Sequence, residues 1–215
     1  VIILLARIPE ITVTEKQRES MKRFSWQDFF EKSAIPISMI ILFTAMAYSG
    51  IMAFLNSYAI SINLTTWASF FFIVYAAVNV ISRPFAGRLL DAKGDNIVMY
   101  PALLMFMLSL ILLSQAEYGF ILLLTGALAG LGFGNIMSCA QAIATKEAPQ
   151  HRVGLATATY FFCADLGMGI GPLLVGSMIP MVGFRGMYMT LAVVVFLSVG
   201  LYYLVHGKKN VYSAT

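Results

Sequence analysis

Charge is scarce in this chain: Asp, Glu, Lys and Arg make up 11% of 215 residues, while 60% are hydrophobic. Soluble domains carry about 25% charged residues. One water-surrounded core cannot hide such an apolar excess, so lipid is the solvent for much of the polypeptide. Histidine is nearly missing. His151 and His206 lie at the edges of apolar runs, and no Ser/His pair or paired aspartates stand within membrane reach. That argues against a membrane-embedded protease or acyltransferase. The two cysteines, Cys139 and Cys163, sit inside apolar runs without Cys-x-x-Cys spacing. They read as buried, reduced thiols that form neither a disulfide nor a metal site. Also absent are the Gly-x-x-x-x-Gly-Lys-[Ser/Thr] run of an ATP-driven pump and the filter-like loops or charge rings of a channel. No cofactor is implied.

What is present in abundance is long apolar sequence. Six segments stand out: Ala34–Ile60, Thr66–Phe85, Ile97–Gln115, Gly119–Thr145, Gly154–Ile179 and Gly186–Val205. A helix crossing a hydrocarbon core of ~30 Å needs about 20 residues, and each segment approaches or exceeds that. Barrel strands would need only about 10 residues with strict alternation, which these runs lack. The fold class expected is an all-α membrane protein with six transmembrane helices. Pro36 suits an early helical position, Thr65 or Thr66 is placed to cap the second helix, and Asn96 the third. Pro149 and Pro180 stand where helices should stop, and Pro101 and Pro172 fall inside segments. Residues 7–33 are the polar part, with Phe24, Trp26, Phe29 and Phe30 among mixed charges. They fit either an interfacial amphipathic helix or a solvated linker. Residues 1–6 read as the end of a preceding transmembrane helix. The six-helix bundle then takes 34–207 and a tail 208–215, so the chain reads as a piece of a longer polypeptide.

Positive charge sets orientation. Of 14 Lys and Arg residues, all but Arg185 fall on one side of a six-span topology. They stand before the first span, around Arg83–Lys93, at Lys146 and Arg152, and at Lys208 and Lys209. The positive-inside rule places both ends in the cytoplasm of a multi-pass plasma-membrane protein. The net charge of +4 is therefore a topology signal, and nucleic acid is not an expected partner.

The loop "SRPFAGRLLDAKGDN" carries Gly87 and Gly94 around Asp91, with Arg83, Arg88 and Lys93 nearby. Glycine permits sharp turns, and an acidic residue there can clamp a helix N-terminus or an arginine. A short cytoplasmic loop carries such residues by topology alone as well. Gly-x-x-x-Asp-x-x-Gly nevertheless resembles the cytoplasmic loop signature of the major facilitator superfamily. It departs from that signature where the family has basic residues and this chain has Ala92, Asp95 and Asn96. A second stretch, "EAPQHRVGLATATYFFCADLGMGIGPLLVG", resembles the family's loop-plus-helix pattern through Pro149, Arg152, Gly154, Gly167, Gly171, Pro172 and Gly176. A third, "GALAGLGFGN", resembles its glycine-rich tenth helix through Gly126, Gly130 and Gly134.

The resemblance covers residues 34 to 205. It implies the C-terminal six-helix half of a twelve-helix facilitator, closest to the bacterial drug or metabolite efflux branch. Residues 7–33 would be the linker between halves. The expected activity is proton-coupled export of small amphipathic molecules by alternating access, or alternatively uptake of a sugar, organic acid or other metabolite. The expected partners are the lipid bilayer, a small-molecule substrate, protons and the missing N-terminal half. Gly87, Arg88, Asp91, Gly94 and Arg152 are candidates for a cytoplasmic loop gate.

Two kinds of residue within the spans call for explanation. The i, i+4 pairs Gly130/Gly134 and Gly167/Gly171 form smooth grooves for helix packing, with Pro172 and Gly176 extending the second. They serve static packing or the sliding of one bundle on the other. Asp165 is the one clear charge inside the spans. It lies eleven residues past Gly154, about 16 Å at 1.5 Å per residue, close to the bilayer midplane. Insertion scales put an aspartate there at roughly 2.5–3.5 kcal/mol. Loss of solvent favours a neutral carboxyl, which makes Asp165 a candidate proton carrier or a hydrogen-bonded tie between helices. Tyr48, Asn56, Asn79, Asn135, Gln141 and Phe161 are the substrate-cavity candidates, each of which could instead knit helices together.

Overall fold

The computed structural model describes residues 29–207, so residues 1–28 and 208–215, including most of the expected linker and the tail, lie outside the described residues. Five long helices form among the described residues: α1 (Ile35–Ser61), α2 (Thr65–Lys93), α3 (Asp95–Ser114), α4 (Gly119–Lys146) and α5 (Val153–Tyr202). A 3-10 turn at Gln150–Arg152 precedes α5, and a π turn at Tyr203–Gly207 follows it. All five are long and apolar enough to cross a membrane.

At 50 residues, α5 as a straight rod would measure about 75 Å, more than twice a hydrocarbon core. It breaks at Gly183, where φ is 68° and ψ 177°, a combination open only to glycine. The arms, 153–182 and 184–202, fold back on each other. A Cβ added at Gly50 of α1 would touch Val175 on one arm and Leu191 on the other, so both arms lie against the same level of α1. The described chain therefore runs through six spans. The reversal comes three residues after Pro180, which sits inside the helix and does not stop it. Proline removes one hydrogen bond, whereas the positive φ of Gly183 redirects the chain.

Several other boundaries differ from expectation. α2 continues through Pro84 and Gly87 to Lys93, eight residues beyond the anticipated end. Gly87 is thus helical, and nothing lies within 4 Å of a Cβ built there; it makes neither a turn nor a close approach. Gly94 alone turns the chain, with φ 87° and ψ 171°. No side chain caps α2 or α3, whose N-caps are Leu64 and Gly94. Asn96 cannot serve, because its side chain engages the C-terminal turn.

Packing follows the small residues, as lipid offers no hydrophobic drive between helices and close approach carries association. Gly167 and Gly171 press on α1, against the Leu42 carbonyl and Ser49 Oγ. Gly130 meets the Tyr75 carbonyl and Gly134 the Asn79 amide, seating α4 on α2. A Cβ at Gly132 would stand 2.6 Å from the Phe106 nitrogen of α3. Gly176 faces the Phe54 ring. Hydrogen bonds tie the rest: Tyr58 Oη donates to the Leu113 carbonyl at 2.9 Å, Ser109 Oγ to Thr125 at 2.9 Å and Tyr160 Oη to Met137 at 2.6 Å. α2 is the outlier. Only Ala68 and Phe71 are buried along it, and Ile73, Val80, Ile81 and Phe85 stand open.

Candidate functional site

The two ends of the bundle differ in charge. Glu117 and Arg185 pair across one end at 3.5 Å, both exposed. The other, basic end carries Lys32, Arg83, Arg88, Lys93, Lys146 and Arg152 among the described residues.

At the basic end the gate candidates do not form one cluster. Arg88 and Asp91 are exposed on the last turns of α2, and neither takes part in an ion pair with a described residue. Arg152 turns elsewhere: its Nε lies 2.6 Å from Glu31 Oε2. The Glu31 backbone N–H donates to Thr159 Oγ1 at 2.9 Å, and the Phe30 ring meets Phe162 edge-on at 5.3 Å. Three successive links thus pin the stretch before α1 to the start of α5.

The network that sequence reasoning missed begins at Asp95, one of the residues that depart from the family signature. Asp95 Oδ2 lies 3.0 Å from His206 Nε2, and Glu147 Oε1 lies 3.0 Å from His206 Nδ1. Lys146 Nζ approaches Asp95 Oδ1 at 3.4 Å. Beside them, Asn96 Nδ2 donates to the Gly207 carbonyl at 3.1 Å and Tyr202 Oη donates to Asn96 Oδ1 at 2.9 Å. Hydrogen bonding to Glu147 is the main influence on His206 and holds its pKa above the usual 6.5, against an opposing effect of burial. A signal existed in the sequence: topology puts an acid at 95, an acid at 147 and a histidine at 206 on one rim. Their residue types read there as ordinary edge residues.

Inside the spans, two groups of cavity candidates meet. Tyr48 of α1 is buried and stacks between Phe133 of α4, ring centroids 4.1 Å apart, and Tyr75 of α2, at 5.4 Å. Toward the basic end, Asn135 Nδ2 donates to Ser82 Oγ at 3.0 Å and to the Leu131 carbonyl at 2.8 Å. Ser82 Oγ in turn donates to the Asn79 carbonyl at 3.2 Å. The side-chain oxygens of Asn79 and Asn135 are buried without a donor among the described residues. Those four residues join α2 to α4.

The remaining candidates stand apart. Gln141 is half-buried on α4. Asn56 and Met52 are exposed on α1, while Ser49 is buried under Gly171 with its hydroxyl donated to the Met46 carbonyl. Phe161 is 39% exposed, and Asp165 one turn later is exposed too. On that arm Tyr160, Ala164, Gly167, Gly171 and Val175 form the buried stripe. Asp165 therefore points away from the bundle's own packing and makes no hydrogen bond or ion pair with a described residue. Cys139 is buried and Cys163 half-buried, both as free thiols.

The Major Facilitator Superfamily model matches the chain over residues 1–168 and again over 37–213. Multidrug resistance protein MdtG of Enterobacter lignolyticus (strain SCF1) is 29% identical over 160 residues, covering 72% of this chain and 38% of the relative. The proteins of that name from Dickeya zeae (strain Ech586) and Klebsiella pneumoniae (strain 342) are also 29% identical, over 161 and 160 residues, each covering 72% of this chain and 39% of the relative. The chain spans about two fifths of the length of these curated relatives. With an all-helical bundle of membrane-spanning segments matched over most of its length, the chain belongs to the major facilitator superfamily.

Proposed function

We propose that the chain is the C-terminal bundle of a secondary active transporter that exports small amphipathic molecules in exchange for protons. In this reading both ends of the bundle's path face the cytoplasm, and a six-helix N-terminal half completes the cavity. Alternating access rocks one half on the other. The relatives' name, multidrug resistance protein, supports export over uptake. Tyr48, Asn56, Asn79, Asn135, Gln141 and Phe161 line the substrate path, and Arg88, Asp91 and Gly94 act at the cytoplasmic gate.

The observation that carries the reading is Asp165, an exposed carboxyl well inside a spanning arm with no partner in its own bundle. A carboxylate at that depth pairs, faces water or takes up a proton. A tie within this bundle would bring it a donor, and no described residue supplies one. Facing a cavity between halves, it can load a proton when substrate leaves and release it when substrate binds. The test uses the full-length protein in proteoliposomes under an imposed pH gradient, with cationic dyes and small metabolites as probes. Asp165→Asn should keep folding and substrate binding while uncoupling flux from the gradient. Proton-driven flux at the parental rate in that variant rejects the role.

A further inference from the structure

The His206 cluster lies at the basic end, far along the chain from Asp165, and nothing in the proposed transport cycle uses it. Its geometry makes a demand on protons. A neutral imidazole donates through one nitrogen and accepts through the other, whereas an ionised carboxylate only accepts. Here both nitrogens stand 3.0 Å from carboxylate oxygens, of Asp95 and Glu147. Both contacts are hydrogen bonds only if the cluster holds one proton beyond neutral histidine and two carboxylates. Burial makes the alternative costly, since His206 and Asp95 have side-chain exposures of 5% and 6%. With His206 charged, Lys146 beside Asp95 brings the four groups to neutrality. Without that proton an imidazole lone pair faces a carboxylate oxygen.

We infer that His206, Asp95 and Glu147 form a proton-operated latch that docks the C-terminal turn onto the rim shared by α3 and α4. Proton binding closes it and alkalinity on that side opens it. The cluster joins the first residue of α3, the residue just past α4 and the turn after α5, three points far apart in sequence. Charged and titratable groups come from three of the elements packed there among the described residues. α3 supplies Asp95, the end of α4 supplies Lys146 and Glu147 with Cys139 deeper along it, and α5 supplies Tyr202, whose ring lies 5.5 Å from the imidazole. α1, which also packs on this turn, carries no acidic, basic or histidine residue between Ile35 and Ser61. The neutral bonds from Asn96 to Gly207 and from Tyr202 to Asn96 do not titrate near neutrality. They hold the turn close when the latch is open, so the opened state is a loosening rather than a release.

The sign follows from the shift. His206 titrates above 6.5 in the folded chain, so the latch is fully closed below 6.5 and is lost as pH rises through the folded value. The test takes the full-length protein in nanodiscs, with Cys139 and Cys163 changed to serine and spin labels on Ile97→Cys and Leu204→Cys, both exposed positions. Distances between the labels should be narrowly distributed at about pH 6 and longer and broader at about pH 9. His206→Gln, which keeps a donor and an acceptor but does not titrate, should give one distribution at both pH values. Hydrogen–deuterium exchange at the histidine C2 position reads the His206 titration directly. Glu147→Gln should lower its midpoint by about one unit, the loss of one charge-assisted hydrogen bond. A midpoint at or below 6.5, label distances unchanged with pH, or a pH response retained by His206→Gln would each overturn the latch.

Discussion

Asparagines and serines in the spans divide by what they touch. Asn135, Ser82 and Asn79 form a hydrogen-bonded chain between α4 and α2, and such bonds in lipid average about 0.6 kcal/mol. Asn135→Ala removes two such bonds and should lower the unfolding free energy in detergent by about 1 kcal/mol. In a double-mutant cycle with Ser82→Ala the two losses should be less than additive. Strict additivity would mean the contact contributes nothing. Asp165 was legible from sequence as an anomaly because charge is rare there. Its direction was not, since only the stripe of Ala164, Gly167 and Gly171 against α1 shows which side of the arm is left open. The His206 cluster was illegible for a related reason. Each of its members is ordinary for a membrane edge, and only docking brings them within 3.0 Å.

Among the helices, two backbone positions carry chain reversals, each inside a stretch the sequence left between apolar segments. Gly94 and Gly183 have φ of 87° and 68° with extended ψ, a region closed to residues bearing a Cβ. Gly183→Ala should cost about 1–3 kcal/mol by strain alone, although nothing crowds its Cβ. Gly200→Ala offers the contrast. That glycine is helical with open space around it, so the change should stabilise by about 0.5–1 kcal/mol. Thermal unfolding of both variants in one detergent checks the pair, and equal shifts would refute the assignment of the turn. Pro180 misled as a stop because it sits within a helix whose neighbours in the bundle tolerate one missing hydrogen bond.

For the whole molecule, the asymmetric placement of basic residues predicts one orientation. Cysteines introduced at Arg88 and Lys146, in a background lacking Cys139 and Cys163, should react with an impermeant maleimide only from the cytoplasmic side. Reaction from outside alone would invert the topology and with it the side on which the latch senses pH. α2, with its open row of Ile73, Val80, Ile81 and Phe85, presents apolar surface suited to lipid or to a second bundle.

The amino-acid order alone determined the solvent, the helical class, the six spans and the basic rim. Hydropathy and charge act over a whole segment and survive an error of a few residues at its ends. Tertiary structure decided which face each helix buries, which residue between the last two spans bears the reversal, and which side chains from distant segments meet around one imidazole. Those outcomes depend on contacts a few ångströms long between residues more than 100 positions apart, and no local pattern encodes them.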